Sequence, residues 1–165
     1  SAVHFAAYRG YNRTLSLLLK FVEDVDARDE QQGTSLHKAV MNGHTSVVKL
    51  LLEAGADVNA VDASDCSALH FAASRGNEQP ADLPAGSGAD ANGRDYFGNS
   101  ALHFAARKGQ GHILELLIRA GSDPMSKDAA GWSPMHWAHS GGHKEVVSTL
   151  SALGCRQLGG DRGEF

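Results

Sequence analysis

The 165 residues lack most of what would place a chain in a familiar functional class. Cysteine is nearly absent, with only Cys66 and Cys155, too few for a disulfide framework. Free thiols suit a reducing compartment, so a cytoplasmic or nuclear setting is expected. No apolar run approaches the roughly 20 residues that span a bilayer, which argues against membrane insertion. The start has no signal-peptide pattern. Charge is short on the positive side, with 15 basic against 19 acidic residues and a net charge of −4. That balance argues against a general polyanion-binding surface and disfavours nucleic acid as a partner. There is no phosphate-loop lysine motif, no H-E-x-x-H and no paired C-x-x-C. Nothing supports catalysis, no cofactor is called for, and the chain reads as non-enzymatic.

What the chain does have is a period. His37 recurs as His4, His70, His103 and His136, each 33 residues from the last. Gly43 recurs as Gly10, Gly76, Gly109 and Gly142, Ala39 as Ala6, Ala72, Ala105 and Ala138, and Asp29 as Asp62, Asp95, Asp128 and Asp161. Four residue types holding one spacing define a repeat protein. In the most regular unit, 29–61, Thr34 is a good N-cap for a short helix with Leu36, Ala39 and Val40 inward, ended by Gly43. Val47, Val48, Leu50, Leu51 and Leu52 make a second, strongly apolar helix stopped at Gly55, followed by an extended finger. Neither helix can bury its apolar face alone; stacking on neighbours does that. Cys66 and Cys155 fall in repeats three and five, so at about 10 Å per layer they should sit far beyond bridging range.

Ser35-Leu36-His37, Gly43-His44, Leu50-Leu51-Leu52 and Gly55-Ala56-Asp57-Val58-Asn59-Ala60 resemble the ankyrin repeat, and the resemblance runs in phase through the whole chain. It implies an all-α fold, an ankyrin-repeat solenoid of five stacked helix-turn-helix repeats with short β-hairpin fingers. The expected organisation is one domain over 1–165, with repeats 1–28, 29–61, 62–94, 95–127 and 128–160 and a tail at 161–165. The resemblance also implies a protein-interaction module, a segment of a larger scaffold, adaptor or regulator. An alternative is a regulatory or targeting domain attached to a kinase, ubiquitin-ligase adaptor, acyltransferase or ion channel. As a fragment the array is expected to be monomeric.

Departures from the regular unit carry the rest. The first repeat has no finger before its helix, and its second helix, with Leu15, Leu17, Leu18 and Leu19, lacks a polar outer face, as if cut from a longer chain. Val22 stands in the place of Gly55, and a β-branched residue resists the left-handed conformation, so that helix should end differently. In the third repeat Pro80 and Pro84 replace Val47 and Leu51, and a helix-interior proline costs about 3 kcal/mol, making this the weak joint. A tolerated defect, a binding-coupled hinge and a damaged sequence all remain open there. In the fifth repeat Thr149 and Ser151 replace Leu50 and Leu52, as a C-terminal cap requires.

The nine histidines do not read as a metal centre, because the 33-spaced set puts one in each layer. Each is expected to tie the turn before its helix to neighbouring backbone and hydroxyl groups. His44 and His143 match the family's Gly-His at the start of the second helix, and His112 and His139 default to solvated surface. Gly86-Ser87-Gly88-Ala89-Asp90-Ala91 fits a G-x-G-x-x-A string but lacks the strand before and helix after that a dinucleotide site needs. Asn12-Arg13-Thr14 is a lone sequon with no secretory signal to give it meaning. Asn59, with Asp57 two before it and Leu51 eight before, resembles asparagines hydroxylated in ankyrin repeats, a minor alternative role.

The resemblance implies that fingers and exposed first-helix positions line a concave binding face. There the sign of the charge reverses. Arg75, Arg94, Arg107, Lys108 and Lys127 form a basic stripe over repeats three to five, beside Tyr96, Phe97 and Trp132. Tryptophan, tyrosine and arginine favour the centres of interfaces. The expected partner is a protein or peptide segment with acidic and apolar residues. The competing reading is that the arginines merely solvate the face while Phe97 or Trp132 tuck into finger packing.

Overall fold

The structure is a computed structural model that describes residues 1–76 and 86–159, with backbone alone over 154–159. Among the described residues nine helices run in stacked pairs. They are α1 (Ala2–Arg9) with α2 (Asn12–Leu18), α3 (Ser35–Met41) with α4 (Thr45–Glu53), α5 (Ala68–Arg75), α6 (Ala101–Lys108) with α7 (Gly111–Arg119), and α8 (Pro134–Ser140) with α9 (Lys144–Gly159). First helices pack on first helices in the order α1, α3, α5, α6, α8. The proline-containing stretch of the third repeat, with Pro80 and Pro84, and the tail at 161–165 lie outside the described residues, as does the Cys155 side chain.

Small residues let the layers close. Ala6, Ala39, Ala72, Ala105 and Ala138 are all within 1% of full burial, and a larger side chain at any of them would push two helices apart. The apolar core falls into two clusters that meet on α5, where Ala68 and Ala72 face one and Leu69 and Ala73 the other. In α4, Val47, Val48 and Leu51 are fully buried while Leu50 and Leu52 are half-buried against the first cluster. As expected, α2 ends differently from its counterparts, and it does so early. The helix stops at Leu18 with Leu19 in right-handed conformation, whereas α4 and α7 run on to Glu53 and Arg119 before glycines with φ of 87° and 94°. Thr149 keeps its hydroxyl within α9 by donating to the Glu145 carbonyl at 3.1 Å, and Ser151 is exposed.

The 33-spaced histidines do what the spacing suggests, and the geometry settles their tautomer. Thr34, Ser67 and Ser100 are extended N-caps whose backbone N–H donates to Nδ1 of His37, His70 and His103, each at 3.1 Å. A backbone N–H can only donate, so Nδ1 carries no proton, and the cap hydroxyls donate to it as well at 2.9 Å. The proton therefore sits on Nε2, which donates to a carbonyl 29 residues on, Cys66 at 3.0 Å, Asn99 at 3.1 Å and Trp132 at 3.2 Å. Histidine here takes the place of the usual Glu or Gln of a capping box and adds a tie to the next finger. His4 makes the same tie to the Gly33 carbonyl at 3.2 Å.

Burial pushes the His37, His70 and His103 imidazoles below the ordinary histidine value of 6.5, against the opposing pull of the carbonyls they face. The unfolded chain then binds protons that the folded one does not, so the stability these groups contribute is complete above about pH 6.5 and is lost as pH falls through the folded pKa values. Protonation would also set an Nδ1–H against the cap N–H. The thermal midpoint is expected to fall steadily from pH 7 to pH 5 in a calorimetric series, a window that lies above the ordinary carboxylate values near 4. A flat midpoint across that window would contradict this account.

Candidate partner-binding face

Each finger is organised by the 33-spaced aspartate. Asp29, Asp62, Asp95 and Asp128 each turn Oδ1 back to accept the backbone N–H groups two and four residues on, at 2.7–3.0 Å. This is the Asx-turn chemistry of short loops. Each also closes its finger by donating its N–H to a carbonyl four residues ahead, as in Asp128 to Trp132 at 2.8 Å. β structure is slight: among the described residues only the isolated antiparallel bridge Val61–Ser67 appears, so the hairpin fingers expected from the sequence are turns rather than paired strands. Successive fingertips are joined by single backbone bonds, Ala63 N–H to Gln31 at 3.0 Å, Tyr96 to Ser64 at 2.9 Å and Ala129 to Phe97 at 3.0 Å.

The residues picked out from the sequence divide into three groups. Tyr96 and Phe97 stand out from the fingertip, 75% and 65% exposed, with rings edge-to-face at 5.3 Å. Trp132 is 40% exposed and leans on Trp137, centroids 4.9 Å apart, and on His136. Arg107 is exposed and lies over the Phe104 and Trp137 rings at 4.9 and 5.5 Å. Of these, Phe97 and Arg107 line one cleft of about 490 Å³, with Asn99, Asp128, Ala129, Ala130 and Trp137, between the fingers and the first helices of the fourth and fifth repeats, while Tyr96 and Trp132 adjoin it through Phe97 and Trp137. Phe97 does not tuck into finger packing, and Trp132 does so only in part.

Arg94 belongs to a second group. It is exposed, but Nη1 donates to the Gly98 carbonyl at 2.8 Å and to the Lys127 carbonyl at 2.5 Å. Arg28 does the same one double-repeat earlier, to Gln32 and Val61. Part of its donor capacity therefore holds adjacent fingers. Arg75, Lys108 and Lys127 form the third group, exposed but lining no part of the cleft.

Sequence reasoning missed Trp137 and Phe104, although the signal was present. The position after the periodic histidine reads Phe5, Lys38, Phe71, Phe104 and Trp137, an aromatic column broken once. Where it is Lys38 the side chain pairs with Asp29 at 2.6 Å; where it is Trp137 the indole donates to Asp128 Oδ2 at 2.9 Å. Burial alone would raise the Asp128 carboxyl, but its backbone and indole donors hold it below the ordinary value. Cys66 is moved the other way, to about 12, by burial and surrounding aspartates, so this free thiol stays protonated and unreactive.

Other candidates resolve simply. His44 and His143 reach across to the carbonyls of Tyr8 and Arg107, each at 2.9 Å, while His112 and His139 are exposed. Among the described residues no group of three or more His, Cys, Asp or Glu could hold a metal ion. Gly88 has φ of 82° in a turn, and no helix follows the G-x-G-x-x-A string. Asn59 is exposed, yet its amide is engaged on both sides, accepting from the Asp90 N–H at 2.7 Å and donating to the Gly88 carbonyl at 3.4 Å. No helix among the described residues is long and apolar enough to cross a membrane.

Comparison with curated proteins finds no match. Comparison with family profiles does: the profile described as "Ankyrin repeats (3 copies)" matches residues 3–83 and again 69–158. Ankyrin repeats are in general protein–protein interaction modules, built from the paired helices, glycine stops and finger turns described above. The matched residues take in nearly the whole array, and the chain belongs to the ankyrin-repeat family.

Proposed function

We propose that this array binds a partner protein or peptide through the face formed by its fingers and first helices, chiefly over repeats three to five. The observation that carries the reading is the set of exposed aromatics Tyr96, Phe97 and Trp132 beside a cleft lined by Phe97, Trp137 and Arg107, in a chain whose net charge is −4. Aromatic groups left this exposed cost solubility, and interfaces concentrate them with arginine. The partner that fits is a segment carrying both acidic and apolar residues. The same face would serve an array set in a scaffold or adaptor and one regulating an attached enzyme or channel.

Alanine at Tyr96 and Trp132 together should reduce recovery of captured partners at least tenfold in a pull-down read by mass spectrometry, since two hot-spot residues at about 1–2 kcal/mol each reach that factor. Recovery unchanged from the parent protein would sink the proposal. Far-ultraviolet circular dichroism should be the same for both proteins, because neither side chain is in the core clusters.

A further inference from the structure

Arg107 differs from the other cations of this face in how it is held. Its guanidinium rests on two aromatic faces, Phe104 at 4.9 Å and Trp137 at 5.5 Å. Stacking engages the flat face of the group and leaves its in-plane N–H donors free. Among the described residues no carboxylate pairs with it and no hydrogen bond leaves its side chain. Arg94, in contrast, already donates to two carbonyls. The one carboxylate lining the cleft, Asp128, is fully engaged: Oδ1 accepts from the Ala130 and Trp132 N–H groups and Oδ2 from the Trp137 indole. The cleft thus offers one edge of unpaired Arg107 N–H donors, beside the ionised Asp128 whose oxygens are taken by backbone and indole N–H groups, with Phe97, Ala129, Ala130 and Trp137 supplying apolar walls around them.

We infer that this cleft is a seat for an apolar residue followed directly by aspartate or glutamate in the partner segment, with the side-chain carboxylate taken by two parallel N–H donors of Arg107. This rests on the binding-face proposal and deepens it. The volume of about 490 Å³ accommodates a side chain of leucine or phenylalanine size with its neighbour. Pre-stacking removes most of the rotamer freedom that an arginine otherwise loses on binding, so the acid is recognised at little ordering cost. An amide in place of the carboxylate cannot accept two parallel donors and carries no charge.

Of the two tryptophans of the chain, Trp137 lines this cleft and Trp132 packs against it at 4.9 Å, so intrinsic fluorescence reads its occupancy. The probe is a set of acetylated, amidated nonapeptides with a central Leu-Glu or Phe-Glu pair, against the same peptides carrying Gln for Glu. Blocked termini leave the side chain as the sole carboxylate. The Glu peptides should bind about tenfold more tightly than their Gln counterparts, the factor expected for one charge-assisted pair. Arg107→Gln should erase that preference and Arg107→Lys should keep only part of it. Arg119→Gln, which alters an exposed cation paired with Glu115, should leave it intact. Equal binding of Glu and Gln peptides, a preference surviving Arg107→Gln, or no fluorescence change up to about 1 mM peptide would each overturn the seat. If the seat fails while the Tyr96 and Trp132 variants still lose their partners, the binding-face proposal stands. If the acid preference holds while those variants keep every partner, it is the finger contribution that fails.

Discussion

Replacing His103 with alanine is expected to destabilise the array by about 3 kcal/mol, from the sum of three losses. The first is the cap: the Ser100 N–H and hydroxyl, both in a buried setting, lose their acceptor, at about 1 kcal/mol or more for the buried donor. The second is the tie to the Trp132 carbonyl. It is the smaller term, because that carbonyl still accepts from the Asp128 N–H. The third is packing, since His103 is 1% exposed and its removal leaves a void the size of an imidazole between layers. Glutamine at the same position restores the capping-box acceptor but neither the ring nor the reach, and should recover about 1 kcal/mol. His136 provides the internal comparison. It is exposed and, among the described residues, hydrogen-bonds to Ser133 only, so alanine there should cost under about 1 kcal/mol. Chemical denaturation of the three variants measures all of this; equal costs at His103 and His136 would show that the inter-repeat tie and burial contribute nothing.

Alanine at Gly109 is expected to cost about 2–3 kcal/mol, and alanine at Gly142 only about 1 kcal/mol. Both glycines follow a first helix with φ of 69° and 71°, a conformation that any Cβ disfavours. At Gly142 that strain is the whole effect, because nothing lies within 4 Å of the added atom. At Gly109 the new Cβ would sit 2.5 Å from Nδ1 of His143 and 2.8 Å from its Cγ. The imidazole would have to leave, breaking its 2.9 Å bond to the Arg107 carbonyl. Gly10 under His44 and Gly76 under Gln110 show the same arrangement, so the glycine stop also makes room for the next repeat. Thermal melts of the two variants separate strain from displacement, and equal shifts would refute the second role.

The layers of the fold were legible in the sequence because its period is carried by residues with single jobs. Thr34 as cap, a different helix end before Val22 and the periodic alanines could each be read from local rules alone. What could not be read were the bonds that cross repeats. Nothing local says that Nε2 of His37 meets the Cys66 carbonyl, or that Arg94 donates to Gly98 and Lys127. That requires the offset of one layer on the next, which is a property of packing. The same limit applied to the candidate site. Exposed aromatics at Tyr96, Phe97 and Trp132 followed from finger position, but the seat of Arg107 on Phe104 and Trp137 depends on helix spacing. Its column of aromatics was nonetheless written in phase after each histidine, with Lys38 the exception.

The single backbone bonds from fingertip to fingertip, Gln31 to Ala63, Ser64 to Tyr96 and Phe97 to Ala129, make the tips a ruler. Equivalent positions recur at the layer spacing of about 10 Å. A ligand lying along the tips as a polyproline II helix advances about 3.1 Å per residue with three residues per turn, so every third residue meets the same kind of contact. A helical ligand advances about 1.5 Å per residue and returns to register after about seven. On the proposed binding mode the comb would measure its partner as well as hold it: a segment whose contact residues are spaced by three or by seven could engage several repeats at once, and one spaced by four or five would fall out of step after the first.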